Sequence, residues 1–153
     1  MEPNLSKSEE LRNRTKQFAL RIIRLFRHLP RSVDAQVLGK QLLRSGTSIG
    51  ANYRAAGRAR SKAEFISKMG IVVEEADETV FWIECLIDSG IVKRDLLADL
   101  LSEANELVAI FAASQKDSEE MIGKRSGDRV IGSSGDLRSR AFALRSTDDP
   151  MAR

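Results

Sequence analysis

Thirteen cationic side chains stand between Leu11 and Lys62 against one carboxylate, Asp34, so this stretch carries a net charge of +12. Ten of the thirteen are arginine, whose planar guanidinium fork matches the oxygens of a phosphate where lysine offers only a point charge. A merely solvated face would mix the two signs. The pattern therefore points to polyanion chemistry, with the phosphates of RNA or DNA as the ligand class. At 100° per residue, Lys40, Arg44, Arg54 and Arg58 fall within about 80° of one another on a helix, and Arg60 and Lys62 carry the charge into the following connection. These six residues are the candidate nucleic-acid contacts.

From Glu64 to Met121 the balance inverts, with fourteen acids against Lys68, Lys93, Arg94 and Lys116 for a net of −10. Residues 1–121 sum to zero, and the overall +3 comes from residues 122–153. The pI of about 9.2 is thus no guide by itself; the local patch carries the nucleic-acid argument. Two halves of opposite sign also suit a protein–protein contact in which a basic face meets an acidic one. The alternative function is accordingly an interaction module that docks through its acidic and basic faces.

Reaction chemistry finds little to work with. His28 is the one histidine, and its place near a helix end reads as a solvated residue favoured by the helix dipole. A bundle di-iron site needs Glu-x-x-His on two helices, and the sequence has none. Glu74, Glu75, Asp77 and Glu78 lie off the apolar stripe and read as a solvated acidic face rather than a metal site. Cys85 lacks a histidine partner or a CxxC spacing, and no glycine-rich phosphate loop is present. The expectation is a non-enzymatic protein without cofactor or metal. The lone cysteine fits a reducing compartment, no run approaches the length of a membrane span, and no secretory signal is visible, so a cytoplasmic protein is expected.

The elements that must position the cations are helices, because apolar residues recur at helical spacing from 8 to 121. A first helix is predicted over 8–28, with Leu11, Phe18, Ile22, Leu25, Phe26 and Leu29 as its stripe and Arg12, Lys16, Arg24 and Arg27 opposite; Pro30 ends it. A second runs over 34–56 with Asp34 as N-cap and Leu38, Leu42, Ile49 and Tyr53 on one side. Gly46 and Gly50 lie near that side, and each costs about 1 kcal/mol relative to Ala, which is tolerable if another helix approaches closely there. A capping box, Ser61-x-x-Glu64, opens a third helix that extends to 89, where Gly90 stops it. Phe65, Met69, Val72, Val73, Ala76, Val80, Ile83 and Ile87 form its core stripe. A fourth spans 94–121 with Leu96, Leu100, Ala104, Leu107, Val108 and Phe111 inward and Asp99, Glu103 and Glu106 outward.

Short connections favour antiparallel neighbours, so the predicted fold is an all-α, up-down-up-down four-helix bundle over 1–121 followed by a disordered tail over 122–153. On the third helix Ile71 and Trp82 project about 100–130° from the core stripe, with Phe81 at its edge. These apolar residues mark a contact surface, and they predict a homo-oligomer with Ile71, Phe81 and Trp82 in its interface. Opposite charges on the two halves suit a head-to-tail contact, which closes into a ring.

Three segments carry a resemblance: Ser48-Ile49-Gly50-Ala51-Asn52-Tyr53-Arg54, Arg58-Ala59-Arg60-Ser61-Lys62-Ala63-Glu64-Phe65-Ile66 and Glu75-Ala76-Asp77-Glu78-Thr79-Val80-Phe81-Trp82. Together they resemble the bacterial four-helix bundle family encoded in intervening sequences of 23S ribosomal RNA genes, which includes the accessory proteins of diversity-generating retroelements. The resemblance covers about residues 10–118. It implies an antiparallel bundle assembled as a ring, commonly a homopentamer, with a basic surface toward nucleic acid and, in the retroelement branch, contact with a reverse transcriptase. Ala55 departs from the pattern, since the family usually has a glutamate there; the loss makes the stretch more basic.

Overall fold

The computed structural model describes residues 6–127. Four helices occupy 88% of them, in the order α1 (Lys7–His28), α2 (Val33–Ala56), α3 (Lys62–Asp88) and α4 (Arg94–Gly127). The start of α1 is fixed by a capping box absent from the sequence expectation. Ser6 Oγ accepts the Glu9 amide at 3.3 Å, while the Glu9 carboxylate accepts the Ser6 amide at 3.0 Å. Asp34 is not the N-cap of α2. Ser32 holds that position, and Asp34 is the second residue of the first turn, accepting the Ala35 amide at 2.9 Å. At α3, Ser61 Oγ accepts the Glu64 amide at 3.1 Å as expected, but the Glu64 carboxylate reaches past Ser61 to the Arg60 amide at 2.8 Å. Gly90 takes φ +75° in the turn that follows, a left-handed backbone that a side chain would disfavour. Helix α4 runs six residues beyond the expected end at Met121; the rest of the expected tail, residues 128–153, lies outside the described residues.

Consecutive helices pack on each other as antiparallel neighbours, α1 on α2, α2 on α3 and α3 on α4, whereas α1 and α4 barely touch. The shared core is formed by Phe18 and Ile22, Leu42 and Ile49, Met69, Val72, Ile83 and Leu86, and Leu100, Leu107 and Phe111, all buried. Leu96 does not join it. Leu97 takes the inward position, and Leu96 stands 74% exposed on the rim of a cleft where α1 has already ended. On α3, Thr79 is buried although the apolar pattern passes over it; its hydroxyl lies 3.0 Å from that of Ser45 on α2 and donates to the Glu75 carbonyl at 2.7 Å. Ser45 Oγ also lies 3.3 Å from the Leu42 carbonyl, so both buried hydroxyls have a partner within their own helix as well as across the α2–α3 seam.

Two glycines explain how closely α1 and α2 approach. A Cβ on Gly46 would stand 2.9 Å from Ile22 Cγ1, and one on Gly50 would stand 3.3 Å from Thr15 Oγ1. Across the sparse side of the bundle, Arg14 bridges α1 to α4: its Nε donates to Glu103 Oε1 at 2.6 Å, its Nη2 to Glu103 Oε2 at 2.8 Å, and Nη2 also pairs with Glu106. Glu103, expected outward in solvent, is thus half-buried and bound. The Arg14 fork holds its carboxyl below the usual 4.5, and the same contacts raise Arg14 further above its ordinary range. Among the described residues no helix is long and apolar enough to cross a membrane.

Candidate nucleic-acid interface

Antiparallel packing brings the start of α1, the end of α2 and the start of α3 to one pole. Arg58 and Arg60 lie exposed in the α2–α3 connection, with Lys62 exposed at the first residue of α3. Arg54 belongs to the last turn of α2 and lines a shallow groove of about 220 Å³ between α1 and α2. Arg12 and Lys16, one turn apart on α1, form the opposite wall; Thr15, Ala19, Thr47, Gly50 and Ala51 complete the groove. The Arg12 guanidinium lies across the end of α2, where a Cβ on Gly57 would meet its Nη2 at 2.9 Å. There it faces the carbonyl end of the helix, a favourable place for a cation.

None of Arg12, Lys16, Arg54, Arg58, Arg60 and Lys62 forms an ion pair among the described residues. Acids stand at this pole as well. Glu9 accepts from Ser6, Glu64 accepts from the Arg60 amide and pairs with Lys68 at 3.6 Å, and Glu10 follows on α1. The end of α4, whose Ser118 and Met121 lie beside Lys62, brings Asp117, Glu119 and Glu120. None of these acids forms an ion pair with the six cations among the described residues. Arg12 and Lys16 were legible as exposed cations of the first helix but not as partners of Arg54. The signal for that was available in the small residues 46, 47, 50 and 51, which mark the seam where α1 comes close.

The two remaining candidate residues stand apart. Lys40 is exposed on α2, fourteen residues before Arg54 and so about 21 Å away along the axis. Arg44 is turned to α3, where its fork engages Glu75 at 3.5 Å and pairs with Glu78. Glu78 in turn accepts from Trp82 Nε1 at 3.0 Å, and Arg44 before Trp82 holds its carboxyl below the usual 4.5. Glu75 Oε2 is buried without a hydrogen-bond partner among the described residues, so that carboxylate depends on Arg44 for its charge compensation.

Trp82 is not a free-standing surface residue. It is half-buried against the core, and Phe81 meets it edge-on with ring centroids 4.8 Å apart. Phe81 itself is 52% exposed and Ile71 42% exposed. The apolar patch of α3 is therefore the Phe81–Trp82 pair, with Trp82 as its anchored base, while Ile71 stands by itself about 15 Å away along the helix. Elsewhere, His28 is exposed and its Nδ1 donates to the Arg24 carbonyl at 2.7 Å. Cys85 is half-buried. Among the described residues no cluster of three His, Cys, Asp or Glu side chains could hold a metal ion.

A family model for the 23S rRNA-intervening sequence protein matches residues 7–113, which span all of α1 to α3 and most of α4. The chain belongs to this family. A crystal structure of a protein with unknown function from the S23 ribosomal protein family of Bacteroides thetaiotaomicron VPI-5482 is similar, with 36% sequence identity and a TM-score of 0.67. The likeness covers 72% of this chain and 99% of that one. No functionally curated protein matches the chain. The groove and the α3 patch both lie inside the part shared with the family.

Proposed function

We propose that this family member is a cytoplasmic, non-enzymatic, self-associating bundle that holds RNA or DNA by its phosphates, without strong sequence preference. One observation carries the reading: six cations, four of them arginine, gather at one pole without acid partners among the described residues. Unpaired arginines packed at one end repel each other, and an array of phosphates relieves that repulsion while releasing condensed counterions. Self-association draws support from a separate place, the exposed Phe81 seated on Trp82, with Ile71 exposed further along α3, since aromatic residues held in one geometry favour interface centres.

The test is a titration of labelled RNA and DNA of unrelated sequences at two salt concentrations, run beside light scattering. Affinities should agree across sequences and fall steeply with salt. Replacing Arg54 and Arg58 together by Ala should lower the log–log salt slope by about 1–2. Absence of binding at low salt, or a slope indifferent to those two arginines, overturns the nucleic-acid reading; a clean monomer at micromolar protein overturns self-association.

A further inference from the structure

We infer that the groove between α1 and α2 seats the sugar–phosphate ridge of a double-stranded nucleic acid in preference to a single strand, an inference that rests on the nucleic-acid reading above.

The walls supply only charge. Arg12 and Lys16 stand one turn apart on α1 and face Arg54 in the last turn of α2, with Arg58 just beyond that helix in the α2–α3 connection. Arg12, Lys16 and Arg54 ride on helices locked together by the Gly46–Ile22 and Gly50–Thr15 contacts, so the backbone positions of the two walls are fixed relative to each other. Apart from the guanidinium groups themselves, the groove offers little to read a base and no aromatic surface to stack one. Thr15 Oγ1 donates to the Leu11 carbonyl at 2.9 Å and Thr47 Oγ1 to the Leu43 carbonyl at 2.7 Å, which commits both hydroxyl hydrogens to their own helices. Its remaining lining is Ala19, Gly50 and Ala51, and no aromatic side chain is among the lining residues. The neighbouring Tyr53 turns inward onto Phe111, with centroids 5.1 Å apart, and the exposed Phe81 lies on α3 beside acids.

Proteins that hold single strands gain about 1–3 kcal/mol per base from aromatic stacking, and that gain offsets the ordering of a flexible chain. This groove lacks the stacking surface. A duplex arrives already ordered, hides its bases and presents a denser line of phosphates. The small groove residues let the backbone ridge come close, and the cations on either wall meet its oxygens.

The experiment compares a labelled duplex of about two helical turns with each of its separated strands, for DNA and for RNA, at one moderate salt concentration. The duplexes should bind roughly fivefold or more tightly than the strands. Arg12→Ala and Arg54→Ala should each shrink that ratio, whereas Lys40→Ala should leave it unchanged. Gly57→Ala provides a variant with no change of charge: its Cβ displaces only the mobile end of Arg12, so the fold persists while the ratio falls. Circular dichroism confirms that each variant is folded. Salt-sensitive binding with strands as tight as or tighter than duplexes overturns the groove inference and leaves the nucleic-acid reading standing. Absence of binding to either form removes both.

Discussion

Gly46→Ala adds one methyl group where the middle of α2 packs closely on α1, and its effect can be worked out from the contact it would make. The new Cβ would stand 2.9 Å from Ile22 Cγ1 and 3.2 Å from Ile22 Cγ2. Carbon atoms prefer about 3.5–4.0 Å, so the seam must open by roughly half an ångström or Ile22 must leave its rotamer. Ile22 is fully buried and has nowhere to go. Overpacking of this kind costs about 1–3 kcal/mol, against which alanine recovers about 1 kcal/mol of helix propensity. A net loss of about 1 kcal/mol is expected. Gly70→Ala is the control, because its Cβ would meet only the flexible amide end of Gln115, at 3.3 Å, so the propensity gain of up to about 1 kcal/mol survives. The two variants should thus differ by about 2 kcal/mol, or several degrees in melting temperature. Urea unfolding followed by helical circular dichroism measures the difference, at one protein concentration so that association does not shift the result. If Gly46→Ala is as stable as Gly70→Ala, the close approach of α1 and α2 is wrong and so is the groove built on it.

Two further outcomes follow from the ion pairs. Glu103 and Glu78 have carboxyl groups held below 4.5 in the folded chain, so their contribution is fully present above that pH and is lost as pH falls through the lowered values. Glu103→Gln should cost about 1–2 kcal/mol at neutral pH, at the low end because Arg14 is about a third exposed, and its deficit should shrink progressively as pH falls below 4.5. A pH-independent deficit in urea titrations refutes the Arg14 contact as its source. Arg44→Ala should weaken self-association in light scattering and shift Trp82 fluorescence, while leaving the nucleic-acid salt slope unchanged. An Arg44→Ala slope loss equal to that of Arg54→Ala would return Arg44 to the nucleic-acid face.

The helices were legible because their apolar residues repeat at one period and their breaks fall at Pro30, Gly57 and Gly90. What a wheel cannot supply is the neighbour. Leu96 and Leu97 lie on either side of the core direction of α4, and only the early end of α1 decides which of them is covered. Arg44 lies on the same outer arc of α2 as Arg54, yet Glu75 and Glu78 of α3 capture one and leave the other. Thr79 is polar by type and buried by position, since Ser45 waits for it across the seam. Ser32 and Asp34 are both good capping residues, and backbone conformation chose the earlier one. The candidate site divided in the same way: the cluster at 54–62 is local in sequence and could be read directly, whereas Arg12 and Lys16 join it only through the packing of α1 on α2.

Helix α1 is held to the bundle on one flank by its seam with α2 and on the other mainly by the Arg14 cluster. A helix fastened in this way is the natural first unit to detach in local unfolding, while α2, α3 and α4 stay together. Detachment removes Arg12 and Lys16, and with them one wall of the groove, but leaves Arg54, Arg58, Arg60 and Lys62 in place. Docked and detached forms therefore present two different electrostatic surfaces from one chain. A polyanion that needs both walls binds the docked form alone and draws the equilibrium toward it, by about 2.7 kcal/mol at a hundredfold excess over its Kd. Protection of the α1 amides from hydrogen exchange is then a direct gauge of how much of the bound polyanion the groove itself holds.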